Sequence, residues 1–109
     1  MKSKGGIVLK TFRTYQLAVE FYKLCESVKM KYHLKHQLLR ASSSIVLNLA
    51  EGSSKPTRKD KLKFYFISLC SCREVQSILD LHPHRDLFIK ADYLGACLYK
   101  LCHAPQPPE

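Results

Sequence analysis

The 109-residue sequence lacks any uninterrupted apolar run of about 18 residues, the length that a helix needs to span a membrane. Its most apolar stretch, residues 64–72, is far shorter. The first residues contain neither an adequate apolar segment nor a small-residue cleavage site, so we expect no signal peptide. Five cysteines, an odd number without a secretory signal, are expected to be reduced thiols. These absences predict a cytoplasmic protein with no membrane-bound part.

Motifs that carry chemistry are also missing. The segment GSSKPTR at 52–58 lacks the spaced glycines and the Gly-Lys-Ser/Thr ending of a phosphate-binding loop. The C-x-C at 70–72 and the H-x-H at 82–84 do not have the usual spacing of zinc ligands. Arg40 and Glu51 have no partnered nucleophile or second acid nearby in sequence. We therefore predict a non-enzymatic protein with no catalytic residue, no metal and no cofactor.

Acidic residues are scarce in the first part of the chain. Of the 18 Lys and Arg and the nine Asp and Glu, residues 1–63 contain 14 and four, which leaves +10 there and −1 in the remainder. This asymmetry favours a polyanionic partner for the first part. Plain solvation of the surface by lysine is the competing interpretation.

No alternation of apolar and polar residues long enough for a strand occurs, whereas helical periodicity is present throughout. The pattern predicts four helices, at residues 12–30, 34–51, 58–81 and from 86 or 90 to 102. Because the links are short, the predicted fold is all-α, an up-and-down antiparallel four-helix bundle over residues 11–103. Residues 1–10 are predicted to be a flexible basic arm and residues 104–109, rich in proline, a disordered tail.

The third predicted helix has apolar residues around nearly its whole circumference. Five of them are expected to face the core: Leu62, Phe66, Leu69, Val75 and Leu79. Four more cover most of the rest: Phe64, Tyr65, Ile67 and Cys72. A helix that is apolar all round is buried all round, and in a domain this small that predicts self-association.

In such a bundle, the start of the first helix and the link between the second and third lie at the same end. Seven cations would gather there as candidate contacts to nucleic-acid backbone: Lys10, Arg13, Lys55, Arg58, Lys59, Lys61 and Lys63. Cations at the start of a helix oppose its macrodipole, which favours a functional reason for their position. Aromatic residues do not interleave with these cations in the sequence, so sequence-specific readout is not supported.

The densest pattern of the chain is QLLRASSSIVLNLAEG, residues 37–52. It combines an apolar stripe (Leu34, Leu38, Ala41, Ile45, Leu49) with a polar one (Gln37, Arg40, Ser44, Asn48, Glu51). We expect the polar stripe to form a structural network with Ser71 and Glu74 of the third helix, in which Arg40 pairs with Glu51 or Glu74. Gly52 is expected to end the second helix in the left-handed conformation.

These segments carry a family likeness. QLLRASSSIVLNLAEG resembles the signature Q-L-x-R-A-x-x-S-I-x-x-N-I-A-E-G of small four-helix proteins encoded in intervening sequences of bacterial 23S ribosomal RNA genes. DKLKFYFISLCSCREV is similar to the second block of that family, and FRTYQLAVEFY to its first helix. Cys70 replaces the usual glycine, and the chain from His82 onward matches weakly, which leaves the fourth helix open.

The resemblance implies an antiparallel four-helix bundle that assembles as a ring, typically a homopentamer. A related branch comprises accessory proteins of diversity-generating retroelements, which bind reverse transcriptase and nucleic acid through a basic pentamer. The expected function is therefore binding of RNA or DNA backbone by a ring oligomer. The alternative is a protein-interaction scaffold, such as an accessory subunit of a reverse transcriptase.

Overall fold

The computed structural model describes Leu9 and residues 12–104, and within this part the chain forms four helices and no strand. We number the helices α1 (Arg13–Ser27), α2 (Tyr32–Ser53), α3 (Arg58–Leu81) and α4 (Arg85–His103). Contacts join α1 to α2, α2 to α3, α3 to α4 and α4 back to α1. The all-α class is confirmed, and the cyclic order of contacts is consistent with an up-and-down four-helix bundle.

The helix boundaries agree with the prediction for α3 and differ elsewhere. Helix α1 ends three residues earlier than predicted, α2 extends through Gly52, and α4 begins near the earlier of its two predicted starts. None of the described helices is long and apolar enough to cross a membrane. The predicted tail beyond residue 104 and the predicted arm, apart from Leu9, lie outside the described residues.

Among the described helices, only α3 and α4 begin with a side-chain cap. Thr57 accepts the Asp60 amide at the start of α3 (Oγ1 to N, 3.1 Å), and His84 accepts the Leu87 amide at the start of α4 (Nδ1 to N, 3.2 Å). Neither α1 nor α2 has a side-chain cap, and three consecutive serines lower the intrinsic helix propensity of α2. Packing must therefore hold α2 in place.

The core consists of the inward apolar stripe of each helix. On α2 the predicted stripe is confirmed for Leu38, Ala41, Ile45 and Leu49, which are completely buried, whereas its first member, Leu34, is only partly buried. On α4 the buried residues are Leu87, Ala91, Leu94, Gly95, Leu98 and Cys102. Periodicity predicted these stripes because helix packing selects apolar residues at this spacing.

The prediction that α3 is buried all round is wrong for the single chain. Phe66, expected in the core, is 43% exposed, and its neighbour Ile67 is 45% exposed. Helix α3 contacts only α2 and α4, so its outward arc meets solvent, and so does its edge beside the end of α4, where Phe66 meets the exposed His103 ring. The apolar composition of α3 shows how hydrophobic the helix is, but it does not show which side of the helix has no neighbouring helix to cover it.

Gly52 does not adopt the predicted left-handed conformation. It lies within α2, and none of the described glycines has a positive φ. A Cβ atom at Gly52 would lie 2.7 Å from Tyr65 Cε1 and 3.1 Å from the carbonyl oxygen of Lys61. Glycine is therefore required here by the close approach of α2 to α3, and not by backbone conformation.

Candidate nucleic-acid interface

The beginning of α1, the link from α2 to α3 and the end of α4 meet at one end of the bundle. The Phe12 ring, just before α1, lies 6.1 Å from the Tyr65 ring of α3 in an edge-on arrangement. Arg58, the first residue of α3, donates from Nη2 to the Ala104 carbonyl oxygen after α4 (2.5 Å). We call this end of the molecule the basic end, because it contains the cations at residues 55–63.

Two of the predicted cations hold neighbouring helices. Lys61 Nζ donates to the Ser53 carbonyl oxygen at the end of α2 (3.0 Å), as Arg58 does to the carbonyl oxygen of Ala104. The antiparallel arrangement places the negative ends of α2 and α4 beside the start of α3. The position of these two cations therefore has a structural explanation that does not require phosphate.

Lys55 combines two weak contacts that phosphate could replace. Its Nζ lies 3.0 Å from Glu51 Oε2, and 5.1 Å from the centre of the Phe64 ring. The Glu51 carboxylate is about half exposed, so solvent screens this ion pair. The lysine remains available to an anion at little cost.

Three further cations of the basic end are open to solvent. Lys59 is exposed, and among the described residues no hydrogen bond or ion pair holds it. Arg13 is likewise exposed at the start of α1, whereas Lys63 makes only a long exposed ion pair with Asp60 (3.7 Å). Lys10, also predicted for this interface, lies outside the described residues.

The predicted polar network is present as two separate groups between α2 and α3. In the first, Arg40 forms an ion pair with Glu74, and its Nη2 also donates to Gln37 Oε1 (3.2 Å). This pairing selects one of the two predicted partners of Arg40. Glu51, the other candidate, binds Lys55 instead. The Arg40 and Glu74 side chains are 54% and 37% exposed, so this group lies on the surface of the single chain.

The second group lies one to two turns nearer the basic end. The Ser44 and Ser71 hydroxyls are 2.8 Å apart across the two helices. Asn48 Nδ2 donates to both the carbonyl oxygen and the hydroxyl of Ser44 (2.9 and 3.1 Å). These contacts fix the register of α2 against α3 and leave no group arranged for acid–base chemistry.

The sequence did not predict the fully buried hydrogen bond between α2 and α3. Ser68 Oγ donates to the Ile45 carbonyl oxygen (2.9 Å) in the core, while Ser42 Oγ donates to Leu38 within α2 (2.7 Å). Both serines are completely buried. The only signal in the sequence was a serine on the apolar side of each helix.

The buried cysteines behave as small core residues. Burial raises the pKa of the Cys25 thiol to about 12 and that of the Cys72 thiol to about 11. The Cys72 thiol donates weakly to the Ala91 carbonyl oxygen on α4 (3.6 Å). Thiols held in the protonated form are poor nucleophiles and poor metal ligands. Among the described residues, no three His, Cys, Asp or Glu side chains are grouped to hold a metal ion.

An exposed aromatic cluster at the basic end was also missed. The Tyr99 and His103 rings of α4 stack with centres 4.0 Å apart and planes 22° apart. The Phe66 ring of α3 meets His103 edge-on at 5.8 Å. The spacing of Tyr99 and His103 by one helical turn was a usable signal, but adding Phe66 requires the register of α3 against α4.

These features define a class: a four-helix, all-α chain with a cation-rich end and a signature of polar residues between its second and third helices. A family model described as 23S rRNA-intervening sequence protein matches residues 11–99, which covers α1 to α3 and most of α4. The chain belongs to this family, and the resemblance seen in its motifs is confirmed. No curated protein and no solved structure matches the chain.

Proposed function

We propose that this protein is non-enzymatic and binds the backbone of RNA or DNA with its basic end, as a ring-shaped homo-oligomer. One observation carries the proposal. Exposed cations from two segments that are distant in sequence, Arg13 on α1 and Lys59 and Lys63 on α3, are brought to the same end of the molecule. The family is described by its origin in intervening sequences of 23S rRNA, and membership in it is compatible with a nucleic-acid partner.

The electrostatics of this end suit phosphate. Each phosphate that displaces water from an exposed ammonium group releases a condensed counterion from the nucleic acid. The competing ion pairs, Lys55 with Glu51 and Lys63 with Asp60, are solvent-exposed and contribute little stability. A nucleic acid can therefore replace them at low cost.

Assembly as a ring, with the homopentamer as the expected form, is supported by the apolar surface of the single chain. Several large apolar side chains are about half exposed or more: Leu47, Ile67, Phe88, Ile89 and Tyr93. Such side chains favour contact with another protein surface. A ring repeats the basic end in every subunit, so several weak phosphate contacts combine by avidity.

The binding proposal is tested by titrating a labelled structured RNA with the protein at several salt concentrations and following fluorescence anisotropy. Affinity should fall steeply with salt, and the double variant Lys59→Gln/Lys63→Gln should reduce the slope of log K against log salt by roughly 1 to 2. Lys29→Gln/Lys31→Gln is the matched control, because it removes the same charge from the exposed link at the opposite end.

Three results would contradict the binding proposal: no binding at low salt, binding that salt does not weaken, or an equal loss in the control variant. Light scattering tests the ring separately, and a monomer throughout the micromolar range would refute it. Co-purification with a reverse transcriptase, without any nucleic-acid binding, would favour the scaffold alternative instead.

A further inference from the structure

The aromatic cluster of Phe66, Tyr99 and His103 faces solvent, although it consists of large rings. Phe66 is 43% and Tyr99 is 51% exposed, and His103 is also exposed. The rings come from two helices and make contact through His103. The result is an exposed aromatic surface at the basic end.

Cations lie on the same face as this aromatic surface. On α3, Lys59 and Lys63 precede Phe66 by seven and three residues, spacings that place all three side chains along one side of a helix. Both lysines are exposed. On α4, Lys100 is exposed as well and precedes His103 by three residues, a spacing that makes the two side chains neighbours on the helix surface. Rings and lysines therefore lie side by side at this edge of α3 and α4, an arrangement that the sequence alone did not reveal.

The patch is also held in place. The hydrogen bond from Arg58 to the Ala104 carbonyl oxygen ties the end of α4 to the start of α3. His103 Nδ1 lies 2.9 Å from the Tyr99 carbonyl oxygen, which fixes the imidazole over the Tyr99 ring. Rings that are ordered before binding lose little conformational entropy when a ligand stacks on them.

We propose that Phe66, Tyr99 and His103 form a stacking surface for unpaired nucleobases, so that the nucleic acid bound at the basic end is single-stranded. The inference rests on the proposed function and adds the class of nucleic acid. Lysines that track a phosphate backbone beside rings that accept bases are the two components of single-strand binding sites.

Duplexes do not fit this arrangement. In a paired helix the bases are stacked on each other, and side chains reach only their edges through the grooves. An exposed ring on the shallow surface between two helices cannot enter the stack. An unpaired strand presents the faces of its bases, and every base has such a face, so the surface would bind without sequence preference.

The test compares two fluorescein-labelled probes of equal phosphate number, an oligouridine of about 15 nucleotides and an RNA hairpin whose bases are all paired apart from a short structured loop. Their affinities are measured by anisotropy at one low salt concentration. The oligouridine should bind more tightly, and Tyr99→Ala should weaken its binding by roughly tenfold while leaving the hairpin unchanged. Tyr99→Phe should retain the affinity, because the ring remains.

Tyr32→Ala is the matched control: Tyr32 is an exposed tyrosine at the start of α2, at the end of the molecule opposite the basic end, and its ring also lies beside a histidine, His36. It should leave both affinities unchanged. His103→Ala provides a second variant, since it removes a ring at the end of α4 without touching the core. Circular dichroism verifies that each variant is folded. The slope of log K against log salt should stay constant in the variants that lose an aromatic side chain, whereas Lys59→Gln should lower it.

The outcomes separate this inference from the function on which it rests. If the hairpin binds as tightly as the oligouridine, or if Tyr99→Ala weakens both equally, the stacking inference fails and phosphate binding stands. If neither probe binds at low salt, both fail. If Tyr99→Ala and His103→Ala abolish self-assembly but leave oligouridine binding intact, the rings contact a second copy of the chain and the inference is overturned.

Discussion

Helix α3 packs against α2 on one side and α4 on the other, and the two seams differ in how closely the helices approach. At the α2 seam, Gly52 brings the α2 backbone against the Tyr65 ring, with no room for a Cβ atom. Ser68 donates to the Ile45 carbonyl oxygen in the buried core. Backbone contact and oxygen hydrogen bonds make this seam tight and specific in register.

The α4 seam is looser. A Cβ atom at Gly95 would meet the end of the flexible Arg73 side chain at 3.3 Å and the Cys72 sulfur at 3.6 Å. Within the buried part of this seam, the polar contact between described residues is the weak one from the Cys72 thiol to Ala91, 3.6 Å long, and the hydrogen bond from Arg58 to Ala104 lies at its exposed end. Towards the basic end, the seam opens into the exposed aromatic cluster.

The difference separates structure from function along one helix. The family signature lies on the α2 side, where its polar groups are satisfied by each other. On the α4 side and on the outward arc of α3, aromatic and cationic side chains remain exposed to solvent. A dense motif therefore indicates here how the bundle is held together, and the proposed nucleic-acid-binding surface lies beside it.

The largest effect is expected from adding one methyl group to the tight seam. Gly52→Ala should lower the free energy of unfolding by about 1 to 3 kcal/mol, because Tyr65 or the backbone of α3 must move to admit the Cβ atom. Urea unfolding followed by circular dichroism measures the change. The control is Gly95→Ala on the loose seam, which should raise stability by up to about 1 kcal/mol through helix propensity. Equal effects of the two substitutions would show that the seams do not differ.

The second prediction concerns pH and the thiol of the loose seam. The pKa of Cys72 is raised to about 11 by burial, above its usual value of 9.0. The unfolded thiol therefore loses its proton before the folded one does, so stability is complete below pH 9 and falls as the pH rises towards 11. The expected contribution is roughly 1.4 kcal/mol for each pH unit in this window.

Cys72→Ala isolates that contribution, because other titrating groups are common to both proteins. In reducing buffer, unfolding free energies measured from pH 8 to 11 should fall less steeply for the variant, whatever its stability at neutral pH. Identical slopes would mean that the Cys72 thiol is not protected from solvent.

A smaller effect is expected from the buried hydrogen bond of the tight seam. Ser68→Ala removes the hydroxyl that reaches the Ile45 carbonyl oxygen and should cost about 1 kcal/mol. Ser43→Ala is the control, since the Ser43 hydroxyl bonds only to Arg40 within its own helix and lies at the surface. Thermal unfolding should separate the two variants. A Ser68→Ala protein as stable as the parent would show that this hydrogen bond contributes no stability.

Periodicity explains how much of this fold could be predicted. The apolar stripe of α2, the limits of α3 and the all-α class follow from residue spacing and from the cap at Thr57, which act locally. The gathering of cations at one end followed from the antiparallel order of helices. The choice of Glu74 over Glu51 by Arg40 did not follow, because it depends on the register between α2 and α3.

The missed features share a physical cause. Gly52 was read as a helix end, although its role depends on how near Tyr65 comes. The aromatic surface depends on which arc of α3 has no neighbour and on where α4 ends beside it. Distances between helices are set by packing of whole side chains, which spacing within one helix does not encode.

The smallest effect is expected at the exposed edge of the tight seam, and it distinguishes the isolated chain from an assembled one. In a double-mutant cycle of Arg40→Ala and Glu74→Ala, an ion pair 54% and 37% exposed should give a coupling below about 1 kcal/mol. Salt should reduce it further. A coupling energy clearly above about 1 kcal/mol at high protein concentration, and smaller after dilution of the protein, would contradict an exposed Arg40–Glu74 pair. Another copy would then cover the pair and remove it from water, because only desolvation makes such a pair interact more strongly.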